Sequence, residues 1–177
     1  MKDPRTFLIV GAGLAGAKAA QTLREEGFDG DVVLFGEEPE RPYERPPLSK
    51  GLLLGTVARD TVFVHEAGWY AEHDIDLRTG VGVGAIDRAA RQVELADGQR
   101  ISYDALLLAT GSTPRSLDVP GASLDGVLKL RTLSDSDQIA SVLVAGAHIV
   151  VVGAGWIGLE VAAAASSPIQ PAPTTTM

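Results

Sequence analysis

Residues 7–16, FLIVGAGLAG, join an uninterrupted apolar run, Phe7–Val10, to the spacing Gly11-x-Gly13-x-x-Gly16. Four apolar residues without alternation suit a strand covered on both faces. Ala17–Glu26 then reads as helix, with Gly27 placed to stop it, and Asp31–Phe35 as a second strand. Two such strands joined by a helix pair in parallel, with a right-handed crossover. Each glycine has its own task. The turn requires a residue without Cβ at Gly11, a diphosphate approaches the backbone at Gly13, and helix meets strand at Gly16. The phosphates of a dinucleotide would then face free amides at a helix N-terminus, where the helix dipole favours negative charge. Glu37 stands at the end of the second strand, where an acid holds ribose hydroxyls. The plain alternative is a packing turn beside a loop carboxylate.

The pattern recurs. His148–Val152 predicts another strand, and Gly153-x-Gly155-x-x-Gly158, with Trp156 and Ile157 inside it, repeats the first spacing. Two copies of one unit suggest two dinucleotide sites. The apolar stretch Val142–Ala165 has the length of a membrane span, but its four glycines divide it into strand, turn and helix. Between the copies, Val93 and Leu95 alternate with polar neighbours and Asp97-Gly98 marks a turn, so residues 81–103 predict a small antiparallel unit. Ala105–Ala109 reads as a strand returning to the main sheet. Thr110-Gly111 behind it allows close backbone approach at a strand's carboxyl end. Residues 112–127 read as a connection, and Ser134–Leu143 as a short helix capped by Ser134.

Composition narrows the function classes. Fifteen basic residues against 23 acidic ones, a net charge of −8, argue against nucleic acid or an anionic membrane as partner. With no cysteine, these residues hold no disulfide, thiolate metal site or thiol nucleophile. His65, His73 and His148 lack metal-ligand spacing and read as surface or packing residues, while Trp69 and Tyr70 read as packing residues. No metal site is expected. Arg41, Arg45 and Lys50 lie in a loop stiffened by Pro42, Pro46 and Pro47. That loop is either solvated, or it holds positive charge beside a phosphate or a flavin ring. No secretory leader is evident, so a cytoplasmic protein is expected.

Taken together, GAGLAG at 11–16, ERPYERPPLSK at 40–50, LLLATG at 106–111, LRTLSD at 130–135 and VVVGAGWIGLEVAAAA at 150–165 resemble one group. It is the FAD-dependent ferredoxin reductases of bacterial cytochrome P450 and aromatic-ring dioxygenase systems, a branch of the pyridine nucleotide-disulfide oxidoreductase superfamily. The resemblance implies an α/β, Rossmann-like, three-layer FAD/NAD(P)-binding fold, with a small antiparallel β unit and an incomplete second βαβ unit. It implies FAD-binding residues over 1–115, a connection over 116–147 and the start of an NAD(P)-binding domain over 148–165. Gly11, Gly13, Leu14, Ala15 and Gly16 would line the FAD pyrophosphate, Glu37 would hold the adenosine ribose, and Val83 would touch the adenine end. Arg45 and Lys50 would lie beside the flavin, with Thr110, Gly111 and Arg131 also at the cofactor. Gly153, Gly155 and Gly158 would open the NAD(P)H site. Lys50 and Glu160 would form the catalytic pair near the flavin N5. The absence of cysteine fits this branch, because a flavin takes two electrons as hydride and releases them singly to a one-electron acceptor. That acceptor would be a ferredoxin.

Family members are more than twice as long. Residues 166–177, SSPIQPAPTTTM, match nothing in the family and are expected to be disordered. The chain is therefore read as a truncated or frame-disrupted relative. Either it passes electrons from NAD(P)H through FAD to a ferredoxin, or it is a catalytically inactive fragment retaining only weak FAD or nucleotide binding. A single-domain NAD-dependent dehydrogenase explains neither the second glycine pattern nor the proline loop.

Overall fold

The computed structural model describes residues 3–166; the expected disorder over 166–177 falls, beyond Ser166, outside the described residues. Two compact units are present. The first runs to Glu44 and resumes over Phe63–Gly111; the second comprises Arg45–Val62 and continues from Ser112.

The first unit holds a parallel sheet of β1 (Thr6–Val10), β2 (Asp31–Gly36), β3 (Ile75–Thr79) and β7 (Ala105–Leu108), in the order β3-β2-β1-β7. Its register runs Leu8 to Val33 and to Leu106, and Val33 to Asp76. Helix α1 (Leu14–Glu25) follows β1, and the short α2 (Trp69–Glu72) precedes β3. A second sheet is antiparallel, with β4 (Val83–Asp87), β5 (Gln92–Leu95) and β6 (Arg100–Ser102) in sequential order.

The central strands β1 and β2 lack alternation because both their faces are covered, whereas the edge strand β3 alternates, with Asp76 exposed. Ile9, Val32, Leu34 and Ile75 pack with Ala17 and Ala20 of α1. Leu8, Val33 and Phe35 pack on the opposite face with Val93 and Leu95 of the antiparallel sheet. Three layers result: helix, parallel sheet, antiparallel sheet. The residues of α1 that face the sheet are small, Gly16, Ala17 and Ala20, so helix and sheet approach closely. Gly27, at φ +80°, ends that helix as expected. Arg24 then fastens the turn, donating to the carbonyls of Phe28, Gly30, His73 and Asp74 at 2.6–3.0 Å. Trp69 stacks between His65 and His73, with ring centroids 3.6 and 4.0 Å away, so these aromatic residues do pack.

The second unit contains two 3-10 turns, Pro46–Ser49 and Arg59–Val62, and helices α3 (Leu133–Val142) and α4 (Trp156–Ala165). Leu53, Ile139, Leu143 and Ala164 form its core. Two expectations are corrected here. The N-cap of α3 is Thr132 rather than Ser134. Thr132 is extended and accepts from the Asp135 amide at 3.1 Å, while the Asp135 carboxylate accepts from the Thr132 amide at 2.8 Å, a reciprocal capping box. The strand expected at His148–Val152 does not form. Val150 and Val152 are exposed, and this segment finds no ladder partner among the described residues.

Candidate functional site

In the first unit the site is built at the carboxyl edge of β2, β1 and β7. Gly11 leaves β1 at φ +114°, and its amide donates to the Phe35 carbonyl at 2.8 Å. A Cβ at this position would lie 2.2 Å from the Ala109 carbonyl oxygen, so only glycine fits between the neighbouring strands. Gly13 is the N-cap of α1 in extended conformation and has open space where a Cβ would stand. No side chain caps the amides of the first turn, and that turn carries no acidic residue. At Gly16 a Cβ would sit 2.0 Å from the Gly11 carbonyl oxygen and 3.1 Å from Leu34. The three glycines therefore do three different things, and the free amides at Gly13 suit an anion. Leu14 and Ala15 lie exposed on the same turn.

The other residues of this half converge on the same edge. Glu37 follows β2 directly and is exposed. Thr110 and Gly111 follow β7, also exposed, with Gly111 at φ +70°. Ala109 is tied to Val10 by a 2.7 Å hydrogen bond, which fixes Thr110 beside Gly11. The Val81 amide donates to the Gly36 carbonyl at 2.8 Å, bringing the start of β4, and with it Val83, to the end of β2. Open α/β sheets bind ligands at strand carboxyl ends of this kind.

The second unit places its own set. The 3-10 turn Pro46–Ser49 starts with two prolines whose fixed φ favours it. The Leu48 carbonyl accepts from Ser136 Oγ of α3 at 2.9 Å. Ser49 Oγ donates to Glu160 Oε2 at 2.6 Å, and Lys50 Nζ lies 3.4 Å from Glu160 Oε1. Lys50 and Glu160 are thus brought together as expected from the resemblance. The Glu160 carboxyl is held below the usual glutamate value, chiefly by the Ser49 hydrogen bond and further by the Lys50 charge, against partial desolvation. The Arg45 guanidinium donates to the Arg131 carbonyl, and the Arg131 amide donates to the Asp135 carboxylate at 2.8 Å. Both arginines are therefore tied to the start of α3. Gly153, at φ +116°, and Gly155, the N-cap of α4, shape the second turn, and a Cβ at Gly158 would lie 1.9 Å from the Gly153 carbonyl oxygen.

Ser49 and Ser136 escape sequence reasoning. No spacing links residue 49 to residue 160, and Ser49 reads as an ordinary loop hydroxyl. Thr132-x-x-Asp135 and Ser134-x-x-Asp137 both offer a hydroxyl with an acid three residues on, and the structure uses the first.

The pyridine nucleotide-disulphide oxidoreductase family model matches residues 5–168. The chain belongs to this family. Among relatives, rhodocoxin reductase of Rhodococcus erythropolis is 47% identical over 160 residues, covering 90% of this chain and 38% of that protein. The ferredoxin–NAD(+) reductase subunit of the Pseudomonas putida benzene 1,2-dioxygenase system is 42% identical, covering 89% of this chain and 38% of that protein. The reductase in the covalent putidaredoxin reductase–putidaredoxin complex superposes with TM-score 0.86 at 41% identity, over 91% of this chain and 39% of that one. The ferredoxin reductase for the CYP199A2 system from Rhodopseudomonas palustris gives 0.87 at 42%, over 91% and 40%. The chain thus spans about two fifths of the length of the relatives it matches. The Rossmann-like fold and the resemblance to ferredoxin reductases, both read from the sequence, agree with these matches. This member of the family carries no cysteine in its 177 residues. Among the described residues no helix is long and apolar enough to cross a membrane, and no group of three or more His, Asp or Glu could hold a metal.

Proposed function

We propose that this chain carries the FAD-binding segment, residues 1–115, and the opening of the NAD(P)H-binding segment, residues 148–165, of an FAD-dependent oxidoreductase. That enzyme passes electrons from NAD(P)H to a ferredoxin in a P450 or dioxygenase system. The observation that carries this reading is the Gly11–Gly16 turn. Its middle glycine is open where a Cβ would stand and its helix amides are uncapped, at a sheet edge shared with Glu37 and Thr110. Relatives named ferredoxin reductases support it. The residues fit FAD: Gly11, Gly13, Leu14, Ala15 and Gly16 would bind its pyrophosphate, Glu37 its ribose and Val83 its adenine end, with Thr110 and Gly111 alongside. Arg45, Lys50 and Arg131 are assigned to the flavin by the family resemblance, Glu160 to the pair with Lys50, and Gly153, Gly155 and Gly158 to the nicotinamide nucleotide. When bound, FAD supplies a two-electron acceptor that can release electrons one at a time. The chain's own part is to bind it, to orient it, and to keep Glu160 charged beside Lys50. A cytoplasmic site of action fits a supply of NAD(P)H.

A second reading, nucleotide binding without turnover, is favoured by one observation. Val150 and Val152 are 87% and 70% exposed and Trp156 is 84% exposed, so the NAD(P)H turn lacks the buried strand that backs the first turn. Hydride transfer needs donor and acceptor aligned roughly 3–3.5 Å apart. The test is to add FAD, remove the excess, and measure flavin absorbance and NADH-driven reduction of ferricyanide. Retained flavin with turnover supports the oxidoreductase, and retained flavin without turnover supports the second reading. No retained flavin overturns the first reading, and no binding in a fluorescence titration with FAD or NADH overturns both.

A further inference from the structure

Ser49 belongs to the Lys50–Glu160 cluster and has no role in the reading above. It closes the 3-10 turn, is only 4% exposed, and gives its hydroxyl to one carboxylate oxygen of Glu160 while Lys50 faces the other. We infer that Ser49 is a positioning residue for Glu160: its hydroxyl fixes which carboxylate oxygen turns toward the proline turn and which toward Lys50, and it favours the charged carboxylate. The role in a reaction rests on the reading of Lys50 and Glu160 as the reacting end of a flavin site; the role in holding Glu160 does not.

The hydroxyl is held in place before Glu160 meets it. Pro46 and Pro47 fix the turn, the Leu48 carbonyl is anchored by the buried Ser136, and Leu53 just beyond packs with Ile139, Leu143 and Ala164. Little freedom remains to be lost when Ser49 donates, so its hydrogen bond to a charged oxygen is a strong one of its kind. Lys50 differs. Its side chain is 54% exposed on a four-carbon stem, and an ion pair so placed holds geometry weakly. The carboxylate therefore takes its orientation from the serine, and the lysine follows it. Among the described residues, the charged groups of the elements packed on this turn have partners of their own: Arg45 donates to the Arg131 carbonyl. Asp135 of α3 is spent on its own N-cap and on the Arg131 amide, and Asp137 pairs with Arg59 at 2.6 Å. The lowered Glu160 carboxyl, with the Ser49 hydrogen bond as its first cause, agrees with this assignment.

The test uses the full chain without FAD, labelled with 13C at glutamate carboxyls and at serine Cβ, and followed by NMR from neutral pH downward. Glu160 is assigned by the resonance lost in Glu160→Gln. In the unaltered chain, Ser49 Cβ is expected to titrate with the Glu160 midpoint. In Ser49→Ala that midpoint moves up toward the ordinary glutamate value, and in Ser49→Thr, which restores a hydroxyl, it stays with the unaltered chain. Equal midpoints in the unaltered chain and Ser49→Ala overturn the proposal, as does a Ser49 Cβ shift that stays flat through the Glu160 titration. The second result is read from the unaltered protein, so it decides the matter even where Ser49→Ala does not fold. Because no FAD is present, failure to bind flavin overturns the functional reading and leaves this titration standing.

Discussion

The two glycine turns share a backbone and differ in everything around it. Gly11 and Gly153 stand at φ +114° and +116°. Gly13 and Gly155 are both extended N-caps without a side-chain cap. A Cβ at Gly16 or Gly158 would lie 2.0 or 1.9 Å from the carbonyl oxygen of the first glycine. Beyond the turn the likeness ends. Leu8 and Ile9, before the first turn, are fully buried, while Val150 and Val152, before the second, are mostly exposed. A Cβ on Gly11 would strike the neighbouring strand at Ala109, whereas one on Gly153 would meet nothing within 4 Å. The turn is thus a local property of three glycines and the helix behind them. The sheet around it is a tertiary property that the glycines do not create.

Substituting the first glycine of each turn gives the largest test of that division. Gly11→Ala incurs backbone strain and a collision with Ala109, together about 4 kcal/mol, and Gly153→Ala incurs the strain alone, about 2 kcal/mol. Urea unfolding followed by circular dichroism measures both. Equal losses would mean that the second turn is as tightly enclosed as the first. The strands before the turns come next. Leu8→Ala removes a fully buried side chain and is expected to cost about 3 kcal/mol, against less than about 0.5 kcal/mol for Val150→Ala. A large loss at Val150 would show that the second strand is packed after all.

Much of this was legible in the sequence, and the failures have a physical pattern. Phe7–Val10 read as a strand because one covered on both faces needs no alternation, and Asp31–Phe35 and Ala105–Ala109 read as strands of the same sheet; the register agrees. Val93 and Leu95, on a sheet with one face covered, did alternate. His148–Val152 has the same apolar character as Phe7–Val10, yet a strand exists only with a partner, and composition does not report one. The Ser49–Glu160 bond joins residues far apart in sequence, one on a loop and one on a helix, so no periodicity announces it. Thr132 lost to Ser134 in the reading because both are capping types with an aspartate three residues on, Asp135 and Asp137; the fold distinguishes them, since Asp135 returns a hydrogen bond to the Thr132 amide while Asp137 pairs with Arg59.

The middle glycines sharpen the comparison at the level of ligand binding. Gly13 and Gly155 both have φ and ψ that alanine tolerates, and neither has a neighbour where a Cβ would go. Alanine at either position should change stability by less than about 0.5 kcal/mol. Under the proposed function, only Gly13→Ala should weaken FAD binding, by roughly tenfold or about 1.4 kcal/mol, since its methyl would occupy the path of the pyrophosphate. Fluorescence titration with FAD checks this. Equal weakening by Gly155→Ala would place FAD on the wrong turn.

The smallest expected effect concerns acid, and it separates the two units by different carboxylates. Asp3, which precedes β1, is lowered to about 2, first by the Arg5 side chain. Glu160, on the helix of the second turn, is lowered first by Ser49. A carboxylate held below its unfolded value stabilises the fold above that value and loses the contribution as pH falls through the lowered one. For Glu160 the loss begins below the ordinary value of 4.5, and for Asp3 it begins below 3.8 and extends to about pH 2. Both side chains lie near solvent, so salt screens both contributions. Glu160→Gln should therefore lower stability slightly at neutral pH and flatten the decline that sets in below pH 4.5, while Asp3→Asn should flatten only the later decline. Urea midpoints measured between neutral pH and strong acid test this, with the unaltered chain beside each variant. If Glu160→Gln left the early decline unchanged, the carboxylate would not be held by its serine in solution, and the second turn would lose a contact with the proline turn that no spacing in the sequence announces.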